Sequence, residues 1–464
     1  MPAERNLFGL SQQAKARLLE TLAAPRREKR SSADSLRAAP PPAARLRAAE
    51  LEGAKEIRLI RDAARSLGIA NPFFRMHDGI AGAETTIDGR RFVNFASYNY
   101  LGLNGHPEIS AAAKAAIDRW GTSVSASRTV SGERPVHREL EQALARLHGS
   151  EDCVALVGGH ATNVTLLGCL LGRSDVVVHD ALIHNSILEG ARLSGARRLP
   201  FPHRDHEAAA RVLAEARPRN GHALLVIEGH YSMDGDLPDL PAFIEVARRH
   251  RAWLMVDEAH ALGVLGAAGR GSAEHFAIDP REVDIWMGTL SKSLVSCGGY
   301  IAGSAELIDH LKLVLPGFVF SVGMAPSAAA AALAAITVME REPDRVRRLN
   351  QRASLFLRLA RDGGLDVGGS IGASIVPVIT GSSIRAARLA QALFARGLNV
   401  QPILYPAVPE RSARLRFFLT ADHGEAQIRE AVAALVEESR RIAAEPVDLA
   451  GTMRRLLAGA ADRV

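Results

Sequence analysis

Two short apolar runs, each breaking off into polar residues, restrict this chain more than anything else in it. Trp253-Leu254-Met255-Val256 ends in Asp257-Glu258-Ala259-His260, and Val283 to Met287 ends in Gly288-Thr289-Leu290-Ser291-Lys292. Runs of this length, mostly apolar, read as strands buried on both faces, the kind found in parallel sheets. Parallel strands need crossover connections, usually helices, so the fold class is α/β with a mostly parallel sheet. Ligands of open α/β sheets lie just beyond the carboxyl ends of the strands. Asp257 and Lys292 are therefore expected to face one crevice. Taken alone, the pair reads equally well as a structural ion pair at two strand ends.

The chain around these runs repeats their pattern. Strands are expected at Cys153–Val157, Asp175–Val178 and Ala223–Ile227, with helices between them. Each strand again ends in polar residues. Gly158-Gly159-His160 opens a helix running to Leu171, and exposed N–H groups at a helix start favour an anion such as phosphate. His179 to Ser186 places His184 just past a strand, where an imidazole can stack flat on an aromatic ring. Glu228 leads into Ser232-Met233-Asp234-Gly235-Asp236. A carboxylate and a lysine at neighbouring strand ends suit pyridoxal phosphate, whose ring nitrogen takes an acid and whose aldehyde takes an amine. The glycines at 263, 266, 269 and 271 do not open a helix after a first strand, so they read as a turn and not as a dinucleotide loop.

With 464 residues and 47% hydrophobic content, the chain exceeds the size at which one core stops growing. The expected division is an Ala/Arg/Pro-rich extension over 1–75, partly helical or disordered, and an N-terminal segment over 76–120. A large cofactor-binding domain over 121–325, a smaller α+β domain over 326–445 and a tail over 446–464 follow. In the extension, Phe8 to Leu22 reads as an amphipathic helix capped by Ser11, and Asp34-Ser35-Leu36 echoes a carrier-protein serine only by coincidence. No apolar run approaches the roughly 18 residues that a membrane span needs. Three cysteines, Cys153, Cys169 and Cys297, argue for a reducing, cytoplasmic setting and against a disulfide framework or a metal site. The net charge of +6 suits an anionic ligand or an acidic partner, while no aromatic-rich basic run supports nucleic acid.

Five motifs in order carry a resemblance: Asn99-Tyr100-Leu101-Gly102-Leu103; Ser127-Arg128 with Gly132 and His137; Glu228 with Ser232 to Asp236; Asp257-Glu258-Ala259-His260; and Thr289-Leu290-Ser291-Lys292. From about Asn94 to Ala443 the chain resembles the α-oxoamine synthases, pyridoxal-phosphate-dependent acyltransferases of the type I aminotransferase fold. This group includes serine palmitoyltransferase, oxononanoate synthase and synthase domains of polyketide assembly lines. The resemblance implies a homodimer with its active site at the subunit interface. It also implies a decarboxylative condensation of a small amino acid with an acyl thioester of coenzyme A or a carrier protein. Lys292 would then carry the cofactor and shuttle protons, with Asp257 at the ring nitrogen and His184 stacked on the ring. His260 and Ser232 would lie near the ring hydroxyl, with Glu228 in the cofactor shell. Thr289 and the backbone of Gly159 and His160 would hold phosphate, joined by Ser321 from the partner's loop. Arg416, Asn99, Ser127 and Tyr98 would meet the substrates.

Departures from the family pattern sharpen the expectation. A serine at 127, where glycine-specific members have threonine, points to alanine or serine ahead of glycine. Val322 replaces a common hydroxyl residue, leaving Ser321 as the substitute. Two rival readings share Asp257 and Lys292: an aminotransferase of the same fold, and a non-catalytic module that binds the cofactor for regulation.

Overall fold

The computed structural model describes residues 47–216 and 221–445. The expected Phe8–Leu22 helix, the carrier-like triplet and the tail from 446 lie outside the described residues.

Seven strands form the central sheet, in the order β4-β10-β9-β8-β7-β5-β6. They are β4 (Asp152–Leu156), β5 (Val176–Asp180), β6 (Arg197–Phe201), β7 (Ala223–Glu228), β8 (Trp253–Asp257), β9 (Ile285–Thr289) and β10 (Gly299–Gly303). Every pairing from β9 to β6 is parallel, and only β10 runs antiparallel to its neighbours β9 and β4. All residues of β4, β5, β7 and β10 are buried, which explains why the runs Cys153–Leu156, Val176–Val178 and Ala223–Ile227 are apolar and do not alternate. Two buried clusters cover the sheet. One holds Val176, Leu225, Leu254, Val256 and Trp286; the other holds Val154, Val177, Leu224, Met255 and Ile285. Neighbouring residues of a strand fall into opposite clusters, as the two-residue side-chain period requires.

Helix ends are set by local chemistry. Asp239 accepts the Ala242 N–H (3.2 Å) to start Leu240–His250, and Gly149 ends Pro135–His148 in the left-handed region.

Two smaller sheets complete the fold. β1 (His77–Asp78), β2 (Glu84–Ile87) and β3 (Arg90–Asn94) run as an antiparallel meander, and β3 pairs in parallel with β12 (Leu398–Asn399). β11 (Ile375–Ile379), β14 (Arg414–Phe418) and β13 (Gln401–Ile403) form the third sheet. Strands from the two ends of the chain thus share a sheet. The helix Pro326–Arg341 packs on Pro107–Trp120 and Pro135–His148, while Asp344–Asp362 and Ser383–Ala395 pack on Glu425–Ala444.

The loop after β7 joins the large sheet to the third sheet. Arg414 of β14 donates to the Asp234 carboxylate (2.6 Å) and the Met233 carbonyl (3.0 Å). Arg416 donates to the Ser232 carbonyl (2.8 Å), and the Ile371 N–H to the Gly235 carbonyl (3.0 Å).

Candidate active site

The carboxyl ends of β7, β8 and β9 bring the site together. Register places Glu228 beside Asp257 and Asp257 beside Met287, five positions before Lys292. Asp257 is buried: its Oδ1 accepts the Ala259 N–H (2.9 Å) and its Oδ2 an Asn163 amide hydrogen (3.0 Å). Burial pushes the Lys292 amine down to about 8, although the charges of Asp257 and Glu228 pull it upward. Burial pushes Glu228 up to about 8, helped by the Asp257 charge; its Oε2 accepts the Ser232 N–H, while Oε1 is buried with no partner.

Glycine backbone meets Thr289 beside this cluster. The helix Gly159–Leu170 begins at Gly158 with no side-chain cap. Its first N–H groups are therefore available to an anion. A Cβ on Gly159 would stand 2.9 Å from Thr289 Oγ1, so only glycine lets the strand end and the helix start approach this closely. Thr289 Oγ1 donates to the Gly298 carbonyl (3.0 Å) and receives the Ser291 N–H (3.2 Å).

Histidines and aromatics line the remaining sides. His184 and His160 lie edge to face with ring centres 6.3 Å apart. His260 is buried and meets the Tyr100 hydroxyl through Nδ1 (2.8 Å); burial and the nearby Lys292 and Arg416 charges hold its pKa well below the usual imidazole value. Tyr98 is part-exposed, edge-on to Phe418, and its ring centre lies 5.8 Å from Lys292 Nζ. Arg416 lies over Phe418 at 4.6 Å, and its Nε is buried without a partner.

Three expected site residues sit elsewhere or act otherwise. Asn99 accepts the N–H groups of Leu103 (2.8 Å) and Asn104 (3.2 Å) and donates to the Ala81 carbonyl (3.0 Å). Its side chain is thereby engaged in organising its own turn and not aimed at a substrate. Ser127 contacts the Val319 carbonyl (2.7 Å) and Thr129 (2.9 Å), grouping with the 318–323 segment that contains Ser321. Arg128 ties this second group together by pairing with Glu133 and Glu141. Ser232 contributes backbone contacts, its N–H to Glu228 and its carbonyl to Arg416.

Sequence reasoning missed Asn163, Ser186 and Tyr100 as members of the site. Asn163 lies on the helix that Gly158 opens, but nothing in a linear sequence shows that it reaches Asp257. Glu258 proves structural: Ser272 donates to it through both Oγ and backbone N–H (3.0 Å for the latter), while burial pushes its carboxyl up to about 7.

A half-buried lysine beside two carboxylates, with an uncapped helix start at the same edge of a parallel sheet, defines an α/β protein built to hold an anionic, carbonyl-bearing cofactor. The family model for aminotransferase class I and II matches residues 90–435. Among curated relatives, the 8-amino-7-oxononanoate synthase of Geobacter sulfurreducens is 41% identical over 366 residues, covering 78% of this chain and 93% of that protein. The corresponding synthase of Stutzerimonas stutzeri is 40% identical over 359 residues, covering 77% and 90%. Among solved structures, serine palmitoyltransferase of Sphingomonas wittichii superposes with a TM-score of 0.81 at 29% identity, covering 86% of this chain and all of that one. The chain belongs to the class I and II aminotransferase family, on its α-oxoamine synthase branch.

Proposed function

We propose that this protein is a pyridoxal-phosphate-dependent acyltransferase. It condenses a small amino acid with an acyl thioester and releases carbon dioxide, free thiol and an α-aminoketone. The residues fit the cofactor by the chemistry of their donors. Lys292 supplies the amine for its aldehyde, Asp257 the anion for its ring nitrogen, and the uncapped helix start with Thr289 the donors for its phosphate. When bound, the cofactor supplies an electron sink that makes a carbanion at the amino acid's α-carbon tolerable.

The chain's own residues do the rest. A lysine whose pKa stands near 8 is partly unprotonated at neutral pH, the condition for a group that takes and returns a proton. Asp257 stays oriented because Ala259 and Asn163 occupy one hydrogen-bond position on each of its oxygens. Arg416, held through Nη1 on the Ser232 carbonyl (2.8 Å), supplies the guanidinium for the amino acid's carboxylate, a group suited to a two-point grip. His260 is held neutral, and Tyr100 fixes its ring through Nδ1. Neutral and cationic donors thus converge where negative charge develops. The observation that carries the reading is the placement of Lys292 just past β9, beside Asp257 and Glu228 at the neighbouring strand ends.

Three finer points belong to the same reading. The amino acid is alanine or serine, a reading supported by the serine at 127 where glycine-specific members of the family carry threonine. The working unit is a homodimer, in which the partner's 318–323 segment, carrying Ser321, completes the phosphate side; Phe320 is 86% exposed there, an apolar surface that a second copy would cover. The three free thiols suit a reducing cytoplasm. The test is a matrix of glycine, alanine and serine against acyl-coenzyme A and acyl-carrier thioesters, scored by thiol release and product mass. Thiol release with alanine or serine is expected. Amino-group exchange with a keto acid, without thiol release, would favour the aminotransferase reading instead.

A further inference from the structure

Four side chains from three parts of the chain form one hydrogen-bonded row beside Lys292. Asn163 Nδ2 donates to Asp257 Oδ2 (3.0 Å) and lies 3.0 Å from Ser186 Oγ. Ser186 Oγ lies 2.7 Å from His184 Nδ1, and the Ser186 backbone N–H also points at that nitrogen (3.3 Å). Asn163 and Ser186 are almost completely buried.

The direction of every proton in this row is fixed from its ends. A backbone N–H only donates, so His184 Nδ1 is an acceptor and carries no proton. A carboxylate only accepts, so the Asn163 amide turns its NH2 toward Asp257. The second hydrogen of that NH2 falls on Ser186 Oγ, whose own hydrogen is then free to point only at His184 Nδ1. We propose that Asn163 and Ser186 are positioning residues that hold His184 as the neutral imidazole with its proton on Nε2. This rests on the cofactor reading above, in which His184 lies against the cofactor ring.

The arrangement has a chemical purpose. A carboxylate placed directly on Nδ1 would favour imidazolium. The neutral Asn163–Ser186 spacer orients the ring without giving it a charge. Asp257 then keeps its negative charge for the ring nitrogen, and no further cation joins Lys292 and Arg416. Location reinforces this, because His184 caps the start of the helix Asn185–Ser194, where the helix dipole disfavours a positive ring. The groups that act on His184 are Asp257 at the end of β8, Lys292 after β9, His160 on the helix Gly159–Leu170 and Arg416 on β14. Burial lowers its pKa, Asp257 opposes that, and the other three add to it.

The test is nitrogen magnetic resonance on protein labelled with histidine carrying 15N at Nδ1, with and without added pyridoxal phosphate. The His184 signal is assigned as the one lost in His184→Gln. At neutral pH it is expected at the shift of an unprotonated ring nitrogen; a protonated Nδ1 in the wild-type protein would overturn the proposal. Ser186→Ala removes one of two donors to Nδ1 and should raise the His184 titration midpoint by about one pH unit. Ser186→Thr, which keeps the hydroxyl, should restore it. An unmoved midpoint in Ser186→Ala would overturn the role of the row even if the tautomer is as stated. Uptake of the cofactor, followed by its absorbance, is read separately, so failure of the cofactor reading leaves the tautomer result standing.

Discussion

Arg416 donates to the Ser232 carbonyl and the Met233 sulfur while its Nε stays buried and unpaired. Leaving a buried donor without a partner costs about 1–3 kcal/mol. Burial lowers the pKa of this guanidinium from its usual value, yet arginine retains its charge at any working pH. Removing it should therefore act on recognition of the amino acid. Arg416→Ala is expected to raise the amino acid's KM about 30- to 100-fold while leaving the thioester's KM within about twofold. Arg416→Lys should not restore it, since an ammonium cannot reproduce the planar fork. Steady-state kinetics with each substrate varied in turn decides this, and an amino acid KM unchanged in Arg416→Ala removes Arg416 from the binding role.

Strand β8 delivers two acids in succession, and the turn after it separates their duties. Asp257 faces the site, whereas Glu258 turns into the shell, where a Cβ on Gly271 would meet its Oε2 at 1.9 Å and a Cβ on Gly229 its Oε1 at 2.1 Å. Gly271 also holds φ +94°, a conformation that other residues adopt only with strain. Gly271→Ala must displace a carboxylate pinned by Ser272, so a loss of about 3 kcal/mol is expected. Gly364→Ala, at φ +80° with nothing within 4 Å, carries strain alone and should cost about 1 kcal/mol. Urea midpoints of the two variants check this; equal losses would show that Glu258 yields freely. The strands that end in Glu228 and Asp257 and the one that leads to Lys292 were legible because strands buried on both faces leave a mostly apolar signature. β9 nonetheless begins at Ile285, two positions later than its apolar run, because Val283 is taken up in ending the turn Pro280–Glu282. Other strands left no such trace. β6 is an edge strand with Arg197, Arg198 and Pro200 exposed, and β10 is a short run between Gly299 and Gly303. The meander β1–β3 is half-exposed and finds β12 only through folding. The Asp257–Asn163–Ser186–His184 row was hidden for the same reason: its members come from separate elements and declare themselves only as distances.

At the scale of the whole molecule, the loop after β7 is what couples the large sheet to the third, and His203 braces it from behind. His203 Nδ1 meets Asp180 Oδ1 (2.9 Å) at the end of β5, and Nε2 meets Asp236 Oδ2 (3.1 Å) in the loop. The same carboxylates take Arg204 Nη1 (3.0 Å) and the Tyr231 hydroxyl (2.8 Å), while neighbouring Gly235 and Asp234 bind Ile371 and Arg414. Burial alone would lower the His203 imidazole, but its hydrogen bonds to Asp180 and Asp236 outweigh that and raise it to about 9. A group whose folded pKa lies above its unfolded value stabilises the fold fully below the unfolded value, about 6.5, and loses that contribution as pH rises through the folded one. The urea midpoint should therefore fall between pH of about 6.5 and 9.5, with about 2 kcal/mol of the loss due to His203. His203→Gln keeps the shape but does not titrate, so it should be less stable than wild type at the lower pH and nearly equal to it at the higher. A variant whose deficit stays constant across that range would mean that His203 contributes packing and no charge, leaving the Arg414–Asp234 pair as an ionic link between the sheets.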